Sequence, residues 1–205
     1  MTKLSLDHLA VSGENRDAAR AHIEDALGLP MQDGGAHEIF GTHNHLMGLA
    51  DGLYLEAISI DPNAEQPARP RWFDLDNFAG APRLSNWICS TQDLASSCQT
   101  WPEAGGPVAL RRAELRWQMA VPQSGVLPFD GLFPPLIEWS GPLHPTAMLE
   151  PTGAKLVALT IRHPDADALR LSLGEIHGAN VRFETSRSVE LISEFETPHG
   201  MRVLA

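Results

Sequence analysis

The side chains with most chemical potential in this chain are imidazoles and carboxylates set on short apolar strands. His8 lies in KLSLDHLAV and Glu56 in LYLEAIS, and both runs read as buried strands. If those strands are neighbours in a cupped sheet, both side chains reach one concave face. An imidazole and a carboxylate converging there suit a divalent ion such as zinc, nickel or manganese. Farther along, Glu138 stands in LFPPLIEWS, while RLSNWICS carries Asn86 where a second imidazole would be expected. Each residue also has a purely structural reading. A single histidine on an apolar strand is commonly a hydrogen-bonded core residue. Strand alternation puts Tyr54, Glu56 and Ile58 on one face and Leu53, Leu55 and Ala57 on the other. Glu56 therefore belongs either to a concave site or to a surface face, since burying an unpaired carboxylate is costly.

The run His43-Asn44-His45 places two imidazoles on one strand face, either as metal ligands or as solvated polar residues. Asn44 and His45 alternatively line a pocket as hydrogen-bonding groups. His144 and His163 both precede proline, a step that more often marks a turn or helix entry than chemistry; His144 is the more open of the two because it follows the Glu138 strand. Trp117 and Trp139 flank the expected second-half pocket and suit contact with an apolar ligand. No G-x-S-x-G, H-E-x-x-H, P-loop or G-x-G-x-x-G motif occurs, so serine-hydrolase, zincin, kinase and Rossmann readings have no support.

The elements that must position these residues follow a recurring order. Residues 3–11 read as a strand, and residues 12–30 as a helix with Ser12 or Asn15 as N-cap and Gly28 as the stop. Short runs at 37–40, 43–49 and 53–60 read as three strands joined by tight turns. After a Pro-rich connector the pattern resumes: strand 83–90, helix 93–101, and strands at 108–112, 115–121 and 132–139. A third stretch offers a strand from Lys155, a helix over 165–173, and strands at 181–184, 189–196 and 201–204. The expected organisation is thus a βαβββ module over 1–61, a connector over 62–82, a second module over 83–142, and a partial module or extension over 143–205. The fold class read from this order is α+β with repeated βαβββ units.

Bulk properties exclude several function classes. With 205 residues, 43% hydrophobic and 20% charged, the chain can bury a sizeable core without staples. A formal net charge of −11 argues against a nucleic-acid partner and against an anionic membrane surface. Cys89 and Cys98, the two cysteines, read as reduced and structural. Asp7 and His8 interrupt the N-terminal run before a signal-peptide core forms, so a cytoplasmic location is expected.

LDHLAV, a helix ending in GLP, and GTHNHLMGLADGLYLEAISID together resemble the glyoxalase-like branch of the vicinal-oxygen-chelate superfamily. PRWFDLD, LRWQMAVP, PPLIEWSGPLHP and LTIRHPDADAL extend the likeness over nearly the whole chain. The resemblance implies paired βαβββ modules forming a cupped mixed sheet able to hold a divalent metal (zinc, nickel, manganese or iron), with ligands from the first and last strands of each module. Carried over, those positions are His8, Glu56, Asn86 and Glu138, and Asn86 departs from the usual His or Gln. His8, Glu56 and Glu138 are then the expected metal ligands, with Glu56 or Glu138 as general base. Asn44, His45, Asn86, Trp117 and Trp139 are expected to contact substrate. The implied function is a metal-dependent lyase or isomerase of a small oxygenated metabolite. The alternatives are a metal-free binding protein of the bleomycin-resistance type, or a ring-cleaving dioxygenase in which His45 or His144 joins His8 on iron. The superfamily habit of completing cups across subunits makes a homodimer an expectation as well.

Overall fold

A computed structural model describes residues 3–205; the first two residues of the N-terminal run lie outside it. Strand β1 (Leu4–Ser12) leads into helix α1 (Arg16–Leu27), then β2 (Gln32–His37), β3 (Thr42–Gly48) and β4 (Tyr54–Ile60). The order repeats in β5 (Arg83–Ser90), α2 (Leu94–Thr100), β6 (Gly106–Arg112), β7 (Leu115–Val121) and β8 (Leu136–Trp139). It repeats again in β9 (Lys155–His163), α3 (Ala166–Leu173), the two-residue β10 (Ile176–His177), β11 (Val181–Thr185), β12 (Glu190–Thr197) and β13 (Gly200–Leu204).

Local chemistry sets the ends of α1. Asn15 Oδ1 accepts from Ala18 N at 2.8 Å, satisfying one orphan amide of the first turn. Gly28 closes the helix in the left-handed region (φ 69°), where a side chain would be strained, and donates its N–H to Glu24 O. Between these caps Ala19, Ile23 and Leu27 recur at a spacing of four and bury one stripe.

The first two βαβββ sets join in one mixed sheet of order β2-β3-β4-β1-β5-β8-β7-β6, with β10 also paired to β1. The order is mirrored about the antiparallel β1–β5 pair. Each half thus runs outward from its own first strand, which places both first strands at the floor of the curve. The third set makes its own sheet, β11-β9-β12-β13, with β11 parallel and β12 antiparallel to β9.

Alternation divides the core in two. On the outer face Leu9 and Val11 pack with Ile23, Leu27, Leu159 and Phe195, fastening the helices and the second sheet to the first. On the concave face Ala10, Ile58, Ile88, Trp117 and Ile137 pack with Trp72, Phe73 and Leu75. Those last three belong to the connector. Its short 3₁₀ segment Trp72–Asn77 plunges into the cup instead of lying across the surface. Trp72 stacks on Phe40 with ring centroids 4.2 Å apart, and the two are 3% and 0% exposed. Burying rings of this size contributes roughly 1.5–3 kcal/mol each, which holds the plug in place.

Two strands differ from expectation by more than two residues, and β10 lies outside the expected pattern. The second begins at Gln32 and ends at His37, because Ile39 and Phe40 form the turn into β3. The eighth begins at Leu136; residues 132–135 carry two prolines, which withhold the amides a strand requires.

Candidate functional site

At the floor of the cup, β1 carries His8 and the parallel β4 carries Glu56, with Ala10 opposite Glu56 and Tyr54 opposite His8. His8 Nε2 and Glu56 Oε2 are 3.7 Å apart and both side chains are buried. That distance makes an ion pair and is too long for a hydrogen bond. His8 Nδ1 donates to Asp7 Oδ1 at 2.7 Å, and its ring stacks on Tyr54 at 4.3 Å. The other Asp7 oxygen accepts from Trp139 Nε1 at 3.0 Å and from His144 Nε2 at 3.3 Å.

The network continues on the far side of Glu56. Glu56 Oε1 accepts from Asn44 Nδ2 at 2.6 Å, and Asn44 Oδ1 accepts from Gly35 N (2.9 Å) and Arg112 Nη1 (3.1 Å). Arg112 Nη1 also approaches His37 Nε2 at 3.5 Å, leaving His37 Nδ1 to donate to Thr42 Oγ1 at 3.0 Å. A chain of polar groups thus runs His144–Asp7–His8–Glu56–Asn44–Arg112. Its members His8, Glu56, Asn44 and Arg112 line a void of about 30 Å³, walled by Trp72, Trp117 and Trp139. That space suits about one water molecule.

Protonation follows from the partners. Burial opposes charge on Asp7, but the bonds from His144 and His8 outweigh it and hold the carboxyl well below the usual range. Burial likewise works against an imidazolium at His8, yet Asp7 and Glu56 on either side raise its affinity for the proton above normal. Burial alone would raise Glu56; the His8 ring, His37 and the Asn44 amide bring it down to about 2. His37 goes the other way: burial, with Arg112 beside it, lowers it to about 4, so its ring is neutral. His8 is therefore a cation between two carboxylates.

The expected residues do not all meet. His8, Glu56 and Asn44 converge, and Trp117 and Trp139 line the same void. Glu138 does not join them. Strand β8 pairs Leu136 with Cys89 and Ile137 with Ser90, so Glu138 lies past the end of β5. Alternation turns Ile137 and Trp139 inward and Glu138 outward, where Oε2 accepts from Leu94 N at 2.7 Å and caps α2. His45 is also on the outer face, with its ring nitrogens 3.3 Å from Asp33 and 3.7 Å from Asp17. It sits one register step from Asn44, and that step is enough to reverse the face. Asn86 lies opposite Ala10 but lines a neighbouring cavity instead of this void. Asp7, His37, Arg112 and Trp72 are site residues that sequence patterning missed. Only Asp7, adjacent to His8, carried a signal that could have been read.

A mirrored, cupped sheet of two βαβββ sets with a histidine on its first strand and a glutamate on its fourth is the architecture of the glyoxalase-like domains. The glyoxalase-like domain profile matches residues 6–176, and the chain belongs to that family, within the vicinal-oxygen-chelate superfamily. No curated protein sequence matches it. Among solved structures, it is similar to a hypothetical protein from Staphylococcus aureus (TM-score 0.60, 13% identity, covering 91% of this chain and 88% of that one). It also resembles, more distantly, methylmalonyl-CoA epimerase from Mycobacterium tuberculosis (TM-score 0.45, 18% identity, 70% and 91% covered). The Streptomyces coelicolor epimerase, solved in complex with 2-nitronate-propionyl-CoA, gives a TM-score of 0.43 at 16% identity, with 69% and 100% covered.

The superfamily implies a divalent metal, and the donor set here fits one poorly. His8 and Glu56 face each other, His37 Nε2 is turned to Arg112, and no group of three or more His, Cys, Asp or Glu among the described residues is arranged to hold an ion. The amide oxygen of Asn44 is engaged by Gly35 and Arg112. Arg112 also brings a fixed positive charge to the lining of the void, which repels a second cation.

Proposed function

We propose that this glyoxalase-like protein binds a small molecule without a metal. The observation that carries this reading is the engagement of the His8–Glu56 pair as an ion pair inside a buried polar network. One His8 nitrogen is bonded to Asp7 and the other faces Glu56, whose remaining oxygen is bonded to Asn44. His8 Nε2 and Glu56 Oε2 are held against each other as an ion pair, so an ion entering between them must displace the proton on His8. Glu56 is also a weak base, because a carboxylate stabilised this strongly does not readily abstract a proton near neutral pH. A metal-dependent lyase or isomerase needs open metal ligands and a competent base. The ring-cleaving reading needs two imidazoles and a carboxylate on iron, whereas His144 is bonded to Asp7 and His45 lies on the opposite face.

The network then serves to hold the floor of the cup rigid. One arrangement favours the metal reading: Asp7 orients His8 as carboxylates orient metal-bound histidines. Metal analysis of protein purified without added metal, followed by calorimetric titration with zinc, nickel, manganese and iron(II), decides between the two. The expected result is well under one ion per chain and no saturable heat. A stoichiometric ion, lost in Glu56→Gln, would overturn the metal-free reading.

A further inference from the structure

A cavity of about 530 Å³ lies where the cupped sheet meets the second sheet. Four separate segments wall it: the connector (Phe73, Phe78), the start of β5 (Leu84, Asn86), the loop 126–132, and β12 with the terminal Ala205. Its size is that of a small-molecule pocket. Phe73 lines both this cavity and the small void around His8. The β12 wall lies outside the residues matched by the glyoxalase-like domain, so this space is specific to a chain carrying the second sheet.

One polar group in that wall has no partner. Asn86 is 2% exposed, and its buried Oδ1 has no hydrogen-bond partner. Leaving such an atom buried without a partner is unfavourable. The other polar side chains of the wall are all engaged. Asp130 is bonded to His163, Glu190 to Arg162, Asp74 to Asn77, and Ser85 to Ser12. Arg83 donates to two carbonyls and lies over the Phe78 ring at 4.1 Å. Two loops hold the walls apart in fixed conformations: Phe73-Asp74 and Phe129-Asp130 are non-glycine pairs in the left-handed region, with φ between 53° and 59°.

We infer that this cavity binds a neutral or cationic, largely apolar planar ligand through the side-chain amide of Asn86. The inference rests on the metal-free binding reading and supplies its site. Asn86 lines the cavity, and a half-turn of its amide would exchange oxygen and NH2, so a ligand edge carrying N–H beside C=O, as in an aromatic lactam, would match it in both senses. Phe73, Phe78, Leu127 and Leu132 supply the apolar faces. Asp74, Asp130 and Glu190 outnumber Arg83 around the wall, which disfavours an anion.

Quinolin-2-one serves as the probe and benzoate as its anionic counterpart, each followed by thermal shift and calorimetry with chelator present. Quinolin-2-one is expected to bind and benzoate not to. Asn86→Leu, which removes the orphaned polar atom and keeps the approximate volume, is expected to weaken quinolin-2-one roughly ten-fold while leaving the melting temperature of the free protein equal or higher. A residue with a merely structural role would lower that temperature. Val189→Trp, at a 43% exposed position on the opposite wall, is expected to block the probe independently. Unchanged affinity in both variants, or no binding of quinolin-2-one, would overturn the inference. Benzoate binding that is insensitive to both variants would overturn it while leaving the metal-free reading intact; a stoichiometric metal would defeat that reading itself.

Discussion

Asp7 and His8 are consecutive residues of one strand, yet their side chains are hydrogen-bonded at 2.7 Å. Neighbours on a regular strand point to opposite faces. The pairing of β1 with β5 slips between Leu6 and His8, which makes Asp7 the extra residue of a β-bulge. The bulge lets a sequence neighbour buttress the imidazole and frees the second Asp7 oxygen to accept from Trp139 and His144 across the cup.

Breaking that buttress should be costly. Asp7→Ala leaves a buried imidazolium, an indole N–H and His144 without their acceptor. Loss of one member of a buried charged pair typically costs about 3–5 kcal/mol, and equilibrium urea denaturation should show a loss of that order. A change under 1 kcal/mol would mean that the network contributes little.

Trp139→Phe removes only the indole donor to the Asp7 carboxylate. Bonds to charged groups contribute roughly 1.5–3 kcal/mol. In a double-mutant cycle with Asp7→Ala the coupling should fall in that range; additive effects would show that the bond is not felt.

The two cup histidines should drive stability in opposite directions with pH. His37 is neutral in the fold, lowered to about 4 from 6.5. As pH falls from 6.5 the unfolded chain takes up a proton that the native state refuses, so His37 costs stability until about pH 4, by about 3 kcal/mol in all. Glu56, ordinarily near 4.5 and about 2 here, extends the loss below pH 4.5. His8 is raised, so its contribution is complete below pH 6.5 and is lost as pH climbs through its native value. Stability against pH for native protein and His37→Gln tests this: the variant should lack the limb between pH 6.5 and 4.

Glu138 should behave as a helix cap. Glu138→Gln is expected to cost about 1 kcal/mol through the weakened bond to Leu94 N, with affinity for any cup ligand unchanged. A large loss of affinity would return Glu138 to the site.

The connector should be sensitive at a residue far from it in sequence. Gly125 has φ +77° and its O accepts from Asp74 N at 3.1 Å; a Cβ there would meet Arg71 O at 2.0 Å. Gly125→Ala must displace the connector backbone, and limited proteolysis over residues 62–82 should accelerate several-fold relative to native protein.

Much of the fold was readable because period and punctuation agree. Strands β5 and β7 fall where the apolar runs put them, and Asn15 and Gly28 cap α1 as their chemistry requires. His8 and Glu56 were identifiable because each interrupts an apolar strand. The failures share one cause. Whether Glu138 or His45 faces the cup depends on register, and a shift of one residue reverses the face. The start of β8 at Leu136 and the bulge at Asp7 are set by pairing between distant strands, which periodicity within a segment does not encode. Arg112 and His37 come from β6 and β2, strands at opposite ends of the sheet order, and meet only because the sheet curls.

The seating of Trp72 and Phe73 inside the concave face has a consequence for how this chain can vary. A segment joining two duplicated units is ordinarily where length drifts and where halves can be separated or rejoined in new order. Here the joining segment is itself interior: its rings fill space contributed by both halves, and its backbone is fastened through Asp74 to the loop at Gly125. Neither half expressed alone would have its inner face covered, and supplying the missing half without the segment would not restore it. The duplication is therefore locked into a single inheritable piece, with the join as its least replaceable part.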